Sequence, residues 1–570
     1  MNNLLKKHKI IENFALLFVS IIIGIIVSGV AQVLIIAAQN FFQLLFLNPS
    51  FSLKINLFGL KLNLIPLIIC IPASILVGSL LYVSKLPRWF GPADTIFAAH
   101  NKAGTLNLKG GFTSTLASLI SISGGASVGI YGPLVHFGAT ISSFLRRLKF
   151  MPKIQHDIII GSGVAAAISA GFGAPIAGII FAHETVLRHF SLKAITSIAL
   201  SSITANYAAY KIGIVSPLLL LNDLEFELSD TIIGLLMIGP FAALVAISFM
   251  KSMIFMSSIP KKLTITPWTA PVIAGLMCGI TGLFLDEVLG LGTQTVLSII
   301  TKNLDLSFLI ILLLGKLFLT SCCIGLGFFG GTFSPALFLG AIVGALVYNF
   351  NFFDFELNHL SVLAVAGMAS VASSVIGAPI TAIILVLELT GSYEYAIASI
   401  IPVSICTFLT SRVFGNSFFD KQLLSRGIDI SKGREQILLN EIKIGHYASK
   451  KFTKISDKMF TNAVVKLLLK NKDTEGYVLS KDDLLIGKIR LIDIVDKKNQ
   501  QITTFLQDKP IILNSNISLL DAIKKLSNFV GESIPIIDKQ SKKLIGIISE
   551  NDVLAAYLEI SDEINHIEKN

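Results

Sequence analysis

Gly129 to Ala139 reads Gly-Ile-Tyr-Gly-Pro-Leu-Val-His-Phe-Gly-Ala, two glycines and a proline ahead of an apolar stretch. Glycine lets the backbone turn tightly and proline is pre-organised for a first helical turn, so a loop here becomes a helix. The stretch sits inside Gly110–Leu145, 36 residues without Asp, Glu, Lys or Arg. A helix start in such surroundings offers free N–H groups and a partial positive charge, which is chemistry for holding an anion. Gly331 to Ala341 repeats the pattern 202 residues later, with Gly, Pro, Gly and Ala in the same places. A second pair, Gly173-Ala-Pro-Ile and Gly377-Ala-Pro-Ile, recurs at an offset of 204, and Glu184 and Glu388 continue its register. The chain therefore carries a duplicated membrane domain. Broken apolar segments at matching places in two halves point to a transport site near the membrane midplane.

Other groups could also do chemistry. Tyr131 stands between the glycines of the first loop, where its phenol can donate to an anion or its ring can pack. A phenol has a pKa of about 10, so it does not shuttle protons near neutrality. His136, five residues on, fits helix packing better than a proton relay. Glu184 and Glu388 are carboxylates inside apolar segments; such groups invite a functional reading, and their symmetry equally fits a structural role at matching helix ends. His183, Glu184 and His189 do not make a zinc protease: the histidines are six apart, about 240° round a helix, where a shared face needs four. The five cysteines, Cys70, Cys278, Cys322, Cys323 and Cys406, have neither zinc-ligand nor redox spacing and read as packed thiols.

The elements that hold these residues follow from composition. The chain has 570 residues, 53% hydrophobic and 14% charged, too apolar to fold in water alone. Charge-free stretches long enough to span a membrane include Phe14–Ala38, Leu62–Ser84, Ile158–Ala182, Leu263–Leu285 and Leu360–Leu387. Lys6, Lys7 and Lys9 ahead of the first favour a cytoplasmic N-terminus, and the absence of a small-residue cleavage site argues against a signal peptide. The charge-free run Leu317–Phe353 is too long for one helix and should break at its glycines, as Gly110–Leu145 should. The formal charge of +10 comes from loop and tail lysines, with no basic run interleaved with aromatics, so no nucleic-acid partner is expected. The segments expected are a cytoplasmic lead (1–12), a first membrane half (13–218), a link (219–231), a second half with its exit linker (232–434) and a soluble tail (435–570). If the halves are inverted, both termini lie in the cytoplasm.

The tail is itself a tandem repeat, about 441–500 and 501–565. Thr461–Asn471 and Ser518–Phe529 are amphipathic helices, each followed by strand, turn and strand. Gly487-Lys-Ile-Arg-Leu-Ile-Asp493 and Gly546-Ile-Ile-Ser-Glu-Asn-Asp552 repeat at an offset of 59. The pattern resembles a pair of CBS domains, and the resemblance puts Asp493 and Asp552 where a ribose is contacted. Ser549 precedes Asp552 by three, as in nucleotide-binding members, whereas Arg490 replaces the Ser or Thr of the first repeat. A single adenine nucleotide is the cofactor this implies, with pure dimerisation the alternative; the chain requires none otherwise.

The membrane domain resembles the CLC chloride channels and chloride/proton exchangers. The resemblance rests on Gly129-Ile-Tyr-Gly-Pro-Leu-Val-His, on Gly-x-Phe-x-Pro at Gly331–Pro335, and on the paired Gly-Ala-Pro stretches. It implies an all-α domain of two inverted repeats with broken helices, a homodimer with a pore in each subunit, and a cytoplasmic α/β CBS pair. It also implies a chloride site made by backbone N–H groups near Thr332 and Phe333 and around Gly129, Ile130, Tyr131, Gly132 and Gly331, with Pro92, Ala93 and Phe419 along the path. The departures are informative. Tyr131 stands where family members usually carry a glutamate, and is the expected gate. Thr185 occupies the inner proton-transfer position of the exchangers. Gly91-Pro92-Ala93-Asp94-Thr95 lacks the usual serine hydroxyl, and Phe419 aligns with a pore tyrosine. The expectation is therefore no enzyme but passive, gated chloride permeation across a lipid bilayer. The alternatives are a proton-coupled exchanger with a non-standard path, or a member selective for fluoride or nitrate. A magnesium transporter with a CBS pair would need more intramembrane acids.

Overall fold

A computed structural model describes residues 2–48, 53–57, 60–101, 105–147, 156–212, 227–350, 356–497, 499–506, 511–527, 529 and 532–569. Two compact units emerge, Met1–Ile428 and Asp429–Asn570, so the division falls a few residues before the expected 435. The expected link 219–231 lies outside the described residues up to 226.

The first unit opens with α1 (Asn2–Phe42), which runs without a break through the expected lead of 1–12. A short antiparallel hairpin follows, β1 (Lys54–Leu57) and β2 (Leu60–Asn63), the one departure from an all-helical membrane domain among the described residues. Next come α2 (Ile65–Ser84), α3 (Pro92–His100), α4 (Leu108–Ser123) and α5 (Tyr131–Arg146). The first half closes with α6 (His156–Phe172), α7 (Pro175–Phe181) and α8 (Leu192–Ile212). The second half repeats this series. It comprises α9 (Leu228–Lys262), α10 (Ala270–Phe284), α11 (Thr293–Thr301) and α12 (Leu306–Gly325). Then follow α13 (Phe333–Tyr348), α14 (Leu357–Ile376), α15 (Pro379–Thr390) and α16 (Tyr393–Val413), with α17 (Phe418–Leu424) added at the end.

Both long charge-free runs break at their glycines, between α4 and α5 and between α12 and α13. Two further stretches that looked continuous are also broken. Ile158–Ala182 divides at Gly173 and Leu360–Leu387 at Gly377, both with left-handed φ (68° and 77°), and Pro175 and Pro379 then open new helices. The spacing of apolar residues does not reveal such a break; the Gly-Ala-Pro triplet does.

Small residues bring the central helices together. A Cβ on Gly163 of α6 would lie 2.4 Å from the Gly138 carbonyl of α5, and one on Gly367 of α14 2.3 Å from the Gly340 carbonyl of α13. These crossings occupy equivalent places in the two halves, and at such contact only glycine fits.

The two halves also cap one another. The Glu388 carboxylate, on α15, accepts from the N–H groups of Ile176 (2.8 Å) and Ala177 (2.7 Å) in the first turn of α7. Glu184 returns the contact, accepting from the N–H groups of Ile380 (2.9 Å) and Thr381 (2.8 Å) in the first turn of α15, and from the Thr381 hydroxyl at 2.7 Å. Their role is structural: each satisfies the orphan donors of a helix that begins inside the apolar domain.

In the second unit, the strands form two three-stranded sheets of one topology. β3 (Thr453–Ser456) pairs parallel with β4 (Glu475–Leu479), which pairs antiparallel with β5 (Leu485–Arg490). β6 (Leu513–Asn514), β7 (Ser533–Ile537) and β8 (Leu544–Ser549) repeat that order. The helices are α18 (Gly433–Glu441), α19 (Thr461–Asn471), α20 (Leu491–Ile494), α21 (Leu519–Leu526) and α22 (Glu550–Lys569).

Removing one crossed cap strips two backbone bonds from a charged acceptor. Glu388→Ala and Glu184→Ala should each destabilise the membrane domain by about 2–4 kcal/mol, with the glutamine variants intermediate. Thermal unfolding in detergent is the measurement, and an unchanged midpoint in Glu388→Ala would remove the capping role.

Candidate functional site

Two helix starts meet at the centre of the first unit. Gly129 N–H donates to the Gly331 carbonyl (2.8 Å) and Gly331 N–H to the Gly129 carbonyl (2.5 Å), a short antiparallel bridge between the matching loops of the two halves. The approach leaves no room for side chains: a Cβ on Gly331 would lie 2.7 Å from the Gly132 nitrogen, and one on Gly129 2.8 Å from Ser334 Oγ. The bridge corrects one expectation. The N–H groups of Gly129 and Gly331 are spent on each other, so these glycines set the loop geometry instead of holding an anion. The first turns of α5 and α13, beginning at Tyr131 and Phe333, keep the donors that helical geometry leaves free.

Side chains brace the loops from behind. Ser127 Oγ lies 2.9 Å from Thr320 Oγ1 of α12, the Phe329 N–H donates to Ser121 Oγ (3.3 Å), and Trp89 Nε1 donates to the Gly327 carbonyl (2.9 Å).

A small cavity of about 20 Å³ lies at the converging starts, lined by Pro92, Tyr131, Gly132, Thr332, Phe333 and Phe419 with Val135, Ile168, Phe181 and Ile376. That is room for about one water. Six residues expected from sequence thus meet across both halves. Ile130 does not join them: it lines a separate void with Leu34 and Leu119. The Tyr131 ring stacks on Phe172 with centroids 3.5 Å apart, and it meets Phe333 edge-on at 6.0 Å. Phe172, unforeseen from sequence, ends α6 just before the Gly173 break, a position nothing in the local pattern distinguishes. The Thr332 hydroxyl and Ser334 Oγ are buried with no hydrogen-bond partner, so the start of α13 holds two uncommitted hydroxyls.

Beyond this constriction opens a larger cavity of about 370 Å³, which Pro92, Ala93, Gly331, Thr332 and Phe419 help to line. Its polar rim was missed in the sequence. Asp94 accepts from both Arg88 terminal nitrogens (2.8 and 2.5 Å) and from Arg426 (3.0 Å), and also caps α3 by accepting from the Gly91 N–H at 3.0 Å. With Lys261, the described lining of this cavity holds three cations and one carboxylate. The spacing Gly91-x-x-Asp94 signals the cap, but Arg426 lies 332 residues away.

Thr185 falls in a π-helical turn, Ala182–Leu187, that continues α7; its hydroxyl is buried and without a partner. At the end of that turn Arg188 pairs with Asp420 of α17, which fixes the helix carrying Phe419. His136 is a packed residue: Nδ1 lies 2.9 Å from Thr95 Oγ1 and the ring stacks on Phe90.

In the second unit the expected nucleotide-site acids are engaged locally, Asp552 as a helix cap and Asp493 in an ion pair. Asp552 accepts from the Ser549 N–H (2.9 Å) and Ser549 Oγ (2.8 Å), while its own N–H donates to Ser549 Oγ (3.2 Å), a capping box opening α22. Asp493 pairs with Arg490 at 2.9 and 3.1 Å. A buried network joins the two sheets: Lys488 pairs with Glu475 at 2.5 Å and donates to the Ser533 carbonyl at 2.7 Å, with Tyr477 Oη 2.6 Å from Ser533 Oγ. Burial pushes the Tyr477 phenol above its ordinary value, so it stays protonated in this network.

Residues 74–412 match the profile of the voltage gated chloride channel family, and residues 502–559 that of the CBS domain. The chloride channel protein CLC-e of Arabidopsis thaliana is 30% identical over 329 residues, which are 53% of this chain and 46% of that protein. The chain thus spans about half the length of that relative. The H(+)/Cl(-) exchange transporter ClcA of Vibrio parahaemolyticus is 27% identical over 56% of this chain and 70% of its own. The crystal structure of a eukaryotic CLC transporter superposes with a TM-score of 0.62 at 16% identity, covering 95% of this chain and 98% of that one, a likeness of fold. The family profile takes in more than half of the chain, and with the paired helix starts, the repeat and the tail it places this protein in the CLC family of voltage-gated chloride channels, with a C-terminal CBS region.

Proposed function

We propose that the protein conducts chloride passively, through a gated path formed by the first turns of α5 and α13 within each subunit of a homodimer. One observation carries this reading: no carboxylate among the described residues lines the constriction, where an aromatic ring stands between two helix starts with donors to offer. The unpaired hydroxyl of Thr332 adds a donor, and the cationic rim of the larger cavity favours anions at its mouth. Partial charges suit conduction, because they admit an ion and also release it. The membrane glutamates do not replace the missing proton carriers, since Glu184 and Glu388 are both committed to caps. The lysines at the N-terminus support cytoplasmic termini.

Proton-coupled exchange is the second reading, favoured by the name of the Vibrio relative. Liposomes loaded with chloride, followed with a chloride electrode and a pH dye together, separate the two. Chloride should leave with no obligatory proton movement, and protons driven uphill by a chloride gradient would overturn the channel reading. The ion order, with fluoride and nitrate beside chloride, comes from the same assay.

Tyr131 is the proposed gate. A neutral phenol cannot compete with chloride by charge, but its ring, stacked on Phe172, obstructs the path. Tyr131→Ala should raise chloride flux several-fold, and Tyr131→Glu should make flux acid-activated, because a carboxylate would occupy the site until protonated. Unchanged flux in Tyr131→Ala would remove the ring as the gate.

An adenine nucleotide at the Ser549–Asp552 turn is the proposed regulator, since the serine and aspartate there match the nucleotide-binding pattern in one repeat only. Calorimetric titration of the purified protein with ATP, ADP and AMP should give one site per chain, lost in Asp552→Ala. No heat at millimolar nucleotide would leave the tail a dimerisation module.

A further inference from the structure

Lys316 stands inside the apolar helix α12 and is completely buried. Its ammonium donates to the carbonyl oxygens of Val288 and Gly290, both at 3.0 Å, and lies 4.8 Å from the centroid of the Phe338 ring on α13. The ammonium thus meets two carbonyl dipoles and an aromatic face. None of them cancels the charge. The salt bridges among the described residues involve other groups. A buried charge with no counterion is costly, and an ionisable group at membrane depth calls for a partner.

Its surroundings identify the partner. Gly290, whose carbonyl holds the ammonium, donates its own N–H to the Gly125 carbonyl (3.2 Å) in the loop that leads to Gly129. One turn along α12, about 6 Å further by helical rise, Thr320 bonds Ser127 of the same loop. Phe338 belongs to the second turn of α13, just behind its start. Lys316 is thus joined through Gly290 to the loop ahead of α5 and directly to the second turn of α13, yet it lines neither the constriction nor the larger cavity.

We infer that Lys316 is the fixed positive charge that sets how strongly a small monovalent anion occupies the site between the starts of α5 and α13, acting through space and without contact. The inference rests on the anion-conduction reading above. Set behind the path, the charge adds to the helix-start potential without becoming a trap. A unit charge at about 10 Å within a protein alters an anion's occupancy roughly tenfold.

A purely structural role is the competing account, because Lys316 also holds the turn in which Gly290 adopts a left-handed φ of 54°. Glutamine separates the two, since its amide can still donate to the turn but carries no charge. Lys316→Arg, Lys316→Gln and Lys316→Met are reconstituted in liposomes, and chloride efflux is measured across a series of chloride concentrations. The half-saturating chloride concentration should rise about five- to tenfold in both Gln and Met, with the maximal rate near wild type and Arg within twofold of wild type. A Gln variant with wild-type half-saturation would overturn the inference. So would a Gln variant not recovered as a monodisperse protein when Arg is, because Lys316 would then serve folding. Wild-type liposomes that pass no chloride would instead remove the conduction reading itself, before any variant is compared.

Discussion

The architecture depends on one constraint: a helix that begins inside an apolar domain exposes N–H groups that water cannot reach, and each must find an acceptor. Four helices here begin that way, α5, α7, α13 and α15. Two are closed by the opposite half's glutamate, Glu388 on α7 and Glu184 on α15. The other two are joined at Gly129 and Gly331, which consume one donor each and leave the donors of the first turns facing a cavity. The same physical debt is thus settled internally in one pair and left open in the other. An anion is the ligand that such an opening accommodates.

The placement of full charges follows the same logic. Among the described residues no acid lines the constriction, and Glu184 and Glu388 are held in caps. Cations stand at a remove, on the rim of the larger cavity with Asp94 among them, or sealed behind the loops as Lys316 is. On the proposed reading, partial charges hold the ion while full charges set the potential from a distance. That division favours passage over capture.

Much of this was legible in the sequence because the signals are local. Gly-x-x-x-Pro and Gly-Ala-Pro mark helix breaks by backbone chemistry alone, and their recurrence at offsets of 202 and 204 exposes the duplication. The helix Thr461–Asn471 appears with the bounds its apolar spacing predicts. What escaped is what depends on distant partners. The symmetry of Glu184 and Glu388 was visible, but not that each serves the other half, since the contacts span 196 to 212 residues. Phe172 and Arg426 carry no local mark of their roles. The resemblance places Gly129 at the anion site, and only the bridge to Gly331 shows that its own N–H is occupied. Lys316 did leave a trace: it is the single charged residue in the apolar helix Leu306–Gly325.

The crossed capping has a consequence for biosynthesis. When α7 enters the membrane, the residue that will close it lies more than 200 positions downstream. At about 5–20 residues per second, that is a wait of roughly 10–40 s. Throughout that time the two backbone donors that Glu388 closes in the finished fold are without that acceptor. The first half must meanwhile keep that helix start near water or lipid headgroups, and it cannot settle deep in the bilayer as a finished unit. The halves share one ancestry of sequence, but they mature only together: the translation of Glu388 is the event that lets the earlier helix come to rest.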